Sequence, residues 1–309
     1  VADVLVVGGN GFIGSHVVDA LARRGHQVSA FDRFGRSRTQ FTAAGVRVLA
    51  GDFLNADDVR RAVAGQDRVV HMLSTTDPAS AENDPTVDVR TNLLSSIDLL
   101  AACADAGVGR VVFASTGGAI YGDQQKTVFS EEDPTLPVSP YAIGKLAIEH
   151  YLRYFRRKRG LASSVVRISN PYGPRQNPDK RQGVIPIFLR RLADGQPVTV
   201  FGDGSMVRDY VYVADVAEMV ADITVGDPQH DVYNLGSGRG HSLDEIIRSI
   251  EQVTGREVVR EHQPAPATFV DHVTLATERF EGEFPTRPTT TLAEGIRRTW
   301  EDIIDGRDD

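Results

Sequence analysis

The sequence predicts an α/β protein: a doubly wound parallel sheet with helices on both faces and a smaller C-terminal α/β lobe. Three observations predict it. Short β-branched runs alternate with helical stretches through the first half, the strand runs are continuously apolar, as strands buried on both faces are, and a glycine-rich turn joins the first run to the first helix.

The elements follow in order. Residues 4–7 (VLVV) read as a buried strand, and 15–25 as an amphipathic helix closed by Gly25. Strands are expected at 27–32, 46–52, 68–73 and 110–115, with helical stretches between them, notably over 88–106. After Pro140 a long helix runs to Gly160, followed by a buried strand over 163–169. From 170 the character changes to a loop rich in Pro, Asn and Gly, then a short helix (VIPIFLRRLADG), a strand running into a turn (PVTVFGDG) and a final amphipathic helix. Residues 1–169, with 211–236 returning to them, are expected to form the nucleotide-binding unit. Residues 170–210 and 237–309 are expected to form the lobe.

Composition narrows the function. A chain of 309 residues with 41% hydrophobic and 25% charged residues has the makings of one sizeable core. Its net charge of −8 excludes a basic nucleic-acid footprint. The single cysteine, Cys103, lies in an apolar stretch and reads as core. No apolar run reaches the roughly 18 residues that span a bilayer, and no leader is apparent, so no membrane association is expected and the cytoplasm is the expected location. No metal site is expected.

The turn Gly8-Gly9-Asn10-Gly11-Phe12-Ile13-Gly14 follows the first strand directly. Gly8 permits the tight turn, Gly11 lets a pyrophosphate approach the backbone, and Gly14 lets helix and strand pack closely. The helix start then presents free N–H groups to phosphate. Asp32 ends the second strand, 18 residues after Gly14, where a carboxylate accepts ribose hydroxyls and repels a 2′-phosphate. The sheet is therefore of the Rossmann type and the expected cofactor is NAD. Asp52 has two readings, an acceptor for the adenine amino group or a cap for the helix that follows.

Tyr141 and Lys145 form Tyr-x-x-x-Lys on the long helix and project from one face. An ammonium there favours the phenolate of a tyrosine that would otherwise titrate near ~10, which makes the tyrosine useful as a base. Thr116, at the end of RVVFAST, supplies a hydroxyl for a substrate oxygen. Its neighbour Ser115 competes for that role.

Taken together, the Gly8–Gly14 turn, Tyr121-Gly122, Ser139-Pro140-Tyr141 with Lys145, Arg167-x-x-Asn170-x-Tyr172-Gly173-Pro174, Phe201-Gly202-Asp203-Gly204, Arg208-Asp209-Tyr210 and Asn234-Leu235-Gly236 resemble the extended short-chain dehydrogenase/reductases that act on nucleotide sugars. The resemblance covers nearly the whole chain and is strongest to UDP-glucose and UDP-glucuronate 4-epimerases. It implies transient oxidation at C4, rotation of the 4-keto sugar and re-reduction, with a UDP-sugar as the partner molecule. It extends the cofactor-binding set to Phe12, Ile13, Arg33, Asp52, Phe53, Leu73 and Asn92. It implies that Asn170 and Arg208 contact the diphosphate, that Gly183 and Val184 help hold it, that Val200 and Phe201 flank the uracil, and that Asp271 binds the uridine ribose. It also implies a homodimer built from the helices over 88–106 and 141–158.

The sequence departs from the family in informative places. Relatives that dehydrate the sugar carry an Asp-Glu pair after the active-site threonine, whereas here Gly117-Gly118 follows Thr116. The alternatives are a nucleotide-sugar 4,6-dehydratase, a 4-keto reductase or a non-catalytic NAD-binding protein. Thr268 stands where the family usually has a diphosphate-binding arginine. Arg175, Lys180 and Arg181 lie in the loop 170–183, and Arg181 is a candidate partner for a C6 carboxylate. Leu275, four residues past Asp271, matches a position that limits room for a 2-acetamido group.

Overall fold

The computed structural model of the protein describes residues 1–35, 39–76, 78–177, 183–264 and 270–306, with the side chains of 78–80 left aside. In chain order the strands are β1 (Asp3–Val7), β2 (Gln27–Asp32), β3 (Arg47–Ala50), β4 (Arg68–His71), β5 (Arg110–Thr116), β6 (Val128–Phe129), β7 (Ser163–Ile168), β8 (Asn170–Tyr172), β9 (Val198–Phe201), β10 (Val207–Tyr212), β11 (Val232–Leu235), β12 (Gly240–Ser242), β13 (Arg260–Gln263) and β14 (His272–Leu275). The helices are α1 (Phe12–Arg23), α2 (Ala56–Val63), α3 (Pro78–Asn83), α4 (Pro85–Asp88), a π turn (Val89–Leu93), α5 (Leu94–Asp105), α6 (Pro140–Arg159), α7 (Val184–Ala193), α8 (Val213–Val225), α9 (Leu243–Thr254), α10 (Glu278–Glu283) and α11 (Leu292–Asp305).

Seven strands form one parallel sheet in the order β11-β7-β5-β4-β1-β2-β3. Alternation along each strand divides its side chains between the two faces. Leu5, Val7, Val111 and Phe113 pack with Leu99 of α5 and Leu152 of α6. Val4, Val6 and Val112 pack with Val17 of α1 and Val220 of α8. A separate cluster, with Leu189, Val200, Ile246 and Ile296 among its members, lies under α7, α9 and α11. There β10 is the hub, pairing β12, β14 and β8, while β9 pairs β13.

The chemistry of helix ends accounts for the long helix. The Ser139 hydroxyl accepts from the Ala142 N–H at its start, Pro140 stands at the first turn, and Gly160, at φ 69°, closes it. The helical stretch expected over 88–106 is present, but it is not wound uniformly: α4 runs through the π turn into α5, with the Leu94 N–H reaching back to the Val89 carbonyl. The side chains of Asp88 and Asn92, at the two ends of this wide turn, are both tied to Thr76 in the loop after β4.

Candidate active site

Because the strands of the large sheet are parallel, their C-terminal ends share one edge, where such sheets bind ligands. That edge gathers the Gly8–Gly14 turn, Asp32, Leu73 and Thr116. Gly8 has φ +82°, and a Cβ on it would stand 2.8 Å from the Leu73 backbone nitrogen. A Cβ on Gly14 would overlap the Gly8 carbonyl oxygen, so the turn needs glycine at 8 and at 14, and the Gly11 N–H donates to the Gly8 oxygen at 3.0 Å. No side chain caps α1 at Gly11, which leaves its first amides for an anion. Asp32 accepts from the Asn10 N–H at 3.1 Å with one oxygen and from the Arg33 N–H at 2.8 Å with the other. Each oxygen keeps a further lone pair for a ribose hydroxyl. A cradle that a Cβ would fill, an uncapped helix start and a carboxylate at the end of β2 fit NAD.

The other residues expected at the cofactor are placed unequally. Ile13 of α1 packs against the core, the Phe12 ring meets His16 edge-on, and Arg33 is exposed. Phe53 is buried against His71 and so offers a ligand only its backbone. Asn55, not Asp52, caps α2, while Asp52 holds the Leu54 N–H at 3.0 Å. The Asn92 amide is saturated by the protein. Its oxygen accepts from the Thr75 N–H and hydroxyl, and its nitrogen donates to Thr76 and Asp88. It therefore shapes the loop after β4.

The helix α6 lays Tyr141 and Lys145 against the end of β5. The Lys145 ammonium donates to the Ala114 carbonyl at 3.0 Å and stands 5.7 Å from the centre of the Tyr141 ring and 4.9 Å from that of Phe113. Burial pulls its pKa down to about 8, against the opposing charges of Asp88 and Glu149. Ser115 and Thr116 point to opposite faces of β5. The Ser115 hydroxyl donates to Glu149 at 2.5 Å, and both are buried. Glu149 in turn pairs with Arg167 at 2.8 Å, and Arg167 donates to the Tyr121 hydroxyl at 3.1 Å. Thr116 is half-buried, and its hydroxyl has no hydrogen-bond partner among the described residues.

In the second layer the Asn170 amide lies over Gly118, within 3.4 Å of where a Cβ would stand there, and donates to the Asp209 carbonyl at 3.1 Å. Gly183 starts α7 at φ 104°, with Val184 its first residue. Val200 is fully buried, whereas Phe201 is 36% exposed. Arg208 is half-buried and donates to the carbonyls of Val207 and Val270. Asp271 is exposed and close enough for its charge to act on Arg208.

Of the three cations in the loop 170–183, Arg175 is taken up by the fold: it pairs with Asp19 of α1 at 2.8 Å. Leu275 is buried against Gly117, with its N–H on Asp209. Arg181, Lys180 and Thr268 lie outside the described residues.

The sequence reading assigns no role to four residues that build the site, although Arg167 and Asp209 stand within its motifs. Glu149 and Arg167 form the buried pair behind Ser115, Asp209 accepts from the Ser237, Gly238 and Leu275 N–H groups, and Asp88 sits against α6 at Gly144. A glycine inside a helical pattern was the available signal for the last of these. Among the described residues no cluster of His, Cys, Asp and Glu could hold a metal, and no helix is long and apolar enough to cross a membrane.

Comparison with known proteins agrees with this geometry. Residues 4–236 match the NAD dependent epimerase/dehydratase family. The chain is 33% identical over 305 residues to the UDP-glucose 4-epimerase of Mycolicibacterium smegmatis, covering 96% of this chain and 97% of that one. It is 31% identical over 318 residues to the dTDP-glucose 4,6-dehydratase of Streptomyces niveus, covering 98% and 93%. The crystal structure of the Thermus thermophilus UDP-glucose 4-epimerase in complex with NAD superposes with a TM-score of 0.91 at 36% identity, covering 98% of this chain and 99% of that one.

Proposed function

Since the chain belongs to the NAD dependent epimerase/dehydratase family, we propose that it is an NAD-dependent 4-epimerase of UDP-hexoses, with UDP-glucose and UDP-glucuronate as the leading substrates. The observation that carries the reaction is the surroundings of Thr116. Dehydration across C5–C6 needs an acid and a base beside the reacting sugar. Gly117 and Gly118 follow Thr116 and bring neither. Glu149, the buried carboxylate behind Ser115, is held by Arg167 and Ser115 and is committed there. Net reduction would favour a 2′-phosphorylated cofactor, which the Asp32 carboxylate repels.

Epimerisation needs only what is present. NAD, held by the Gly8–Gly14 turn and Asp32, supplies a reversible hydride acceptor at C4. Tyr141 takes the O4 proton and gives it back. Lys145 favours the phenolate, and the Thr116 hydroxyl, unpaired among the described residues, bonds O4. Asn170, Arg208 and the start of α7 at Gly183 and Val184 grip the diphosphate, the exposed Phe201 ring stacks on the base beside Val200, and Asp271 takes the uridine ribose. Residues 1–169 with 211–236 act as the cofactor half and 170–210 with 237–309 as the substrate half. The work is placed in the cytoplasm, where nucleotide sugars and NAD meet.

The active form is a homodimer. Leu94 of α5 and Ile143, Tyr151 and Tyr154 of α6 are exposed apolar side chains on adjacent helices, a patch suited to self-pairing about a twofold axis.

Proton NMR of the products from UDP-glucose, UDP-glucuronate and their N-acetylated analogues tests the reading. A 4-epimer is expected from the unacetylated sugars, and a 4-keto-6-deoxy product or preference for an acetylated sugar would overturn it.

A further inference from the structure

Asp88 is 3% exposed, at the junction of α4 and the π turn. One carboxylate oxygen accepts from the Thr76 hydroxyl at 2.5 Å and from the Asn92 amide at 2.8 Å. The other occupies the place of a missing side chain: a Cβ on Gly144 would overlap it. Gly144 is the residue before Lys145. Among the described residues this buried carboxylate is met only by a neutral hydroxyl and a neutral amide, an arrangement that is costly unless a positive charge lies near.

The groups that face Lys145 decide which charge that is. From its own helix come Tyr141 and Glu149, from α4 Asp88, from β4 His71, and from β5 the Ala114 carbonyl and the Phe113 ring. His71 is fully buried and stays neutral, its pKa pushed down to about 3 by burial. Glu149 is committed to Arg167 through both oxygens, at 3.2 and 2.8 Å. Among the described residues no cation pairs with Asp88 at contact distance. π turns inside helices recur at functional sites, and this one carries Asp88 at its start.

We propose that Asp88 is the countercharge that keeps Lys145 an ammonium, a positioning residue that acts on Tyr141 through the lysine. Gly144 is the notch that admits it. The proposal rests on the reading of Tyr141 and Lys145 as the proton-handling pair. Without Asp88 the lysine, already pulled down to about 8 by burial, loses its proton at a lower pH and ceases to favour the phenolate.

The chain has four lysines, Lys126, Lys145, Lys158 and Lys180, so the Lys145 resonance of a 13Cε-lysine sample can be assigned by its loss in Lys145→Arg. In NAD-loaded Asp88→Asn, which keeps the acceptor for Thr76 and Asn92, the Lys145 titration moves down by about one pH unit, the lower end of what removing a neighbouring charge does. At pH 8 the ammonium fraction then falls from about a half to about a tenth, and kcat falls about fivefold. At pH 6 kcat changes less than twofold, and KM is unchanged at both. Gly144→Ala, which displaces the carboxylate without removing it, lowers the same titration and serves if Asp88→Asn does not fold. A Lys145 titration unmoved in both variants, or a turnover loss equal at pH 6 and 8, overturns the proposal. A wild type that turns over no UDP-hexose would sink the epimerase reading instead, and the NMR titration would still decide the role of Asp88.

Discussion

The Ser115 hydroxyl is spent on Glu149, 2.5 Å away and buried with it, while the next residue, Thr116, keeps its hydroxyl unpaired among the described residues. The two neighbours therefore do different work. Thr116→Ala should lower kcat on the order of 10²-fold, the scale of a lost donor to a reacting oxygen, with stability little changed. Ser115→Ala should keep kcat within a fewfold and cost about 1–3 kcal/mol of stability, because it leaves buried Glu149 short of a partner. Urea unfolding beside steady-state kinetics checks both, and an exchange of the two phenotypes would move the catalytic hydroxyl to Ser115.

Much of this was legible in the sequence because the signals are local. The Gly8–Gly14 turn, the carboxylate at Asp32 and the Tyr141–Lys145 spacing each follow from one strand or one helix turn. The parallel sheet followed from runs such as VLVV and RVVFAS. What was not legible depends on contacts distant in sequence. Glu149 reaches Arg167 and Ser115 only once β5, β7 and α6 are packed, and Asp88 reaches Gly144 across two helices. Arg175 shows the same limit in reverse. In the sequence it is a free cation in a loop, and only the fold brings it to Asp19, 156 residues away.

Asp32 should set cofactor retention and choice. Asp32→Ala removes acceptors for two ribose hydroxyls, and a charge-assisted hydrogen bond is worth roughly 1.5–3 kcal/mol. NAD affinity, measured by calorimetry on cofactor-stripped protein, should fall about 10- to 150-fold while NADP binds better than before. Unchanged NAD affinity would remove Asp32 from the site.

His71 should make the protein acid-labile before its carboxylates titrate. The unfolded chain binds this proton near pH 6.5, but the fold accepts it only near pH 3, because the ring is buried between Phe53 and Phe113. Stability present above about pH 6.5 is therefore lost as pH falls toward 3, by about 1 kcal/mol between pH 7 and 5.5 from this residue. Urea unfolding across that range should show the loss, and His71→Asn should flatten it. A slope unaltered by the substitution would place the cause elsewhere.

The exposed apolar patch on α5 and α6 should hold two copies together. Light scattering at micromolar concentration should report a dimer for the wild type and a monomer for Tyr154→Glu, whose charge would be buried in the interface. A monomeric wild type would contradict the assembly.

Tyr141→Phe should lower kcat on the order of 10² or more, as loss of a general base does, with UDP affinity within a fewfold of wild type. Near-native turnover would exclude Tyr141 as the proton carrier.

Everything proposed for the site turns on one step: the hydrogen on C4 leaves and returns to the same carbon without meeting water. Incubation of the NAD-loaded protein with UDP-glucose deuterated at C4, followed by proton and deuterium NMR of the product, tests it most directly. The expected product is UDP-galactose that retains the deuterium at C4, formed with no added cofactor. Deuterium lost to solvent, or found at C6 of a 4-keto-6-deoxy sugar, would contradict it.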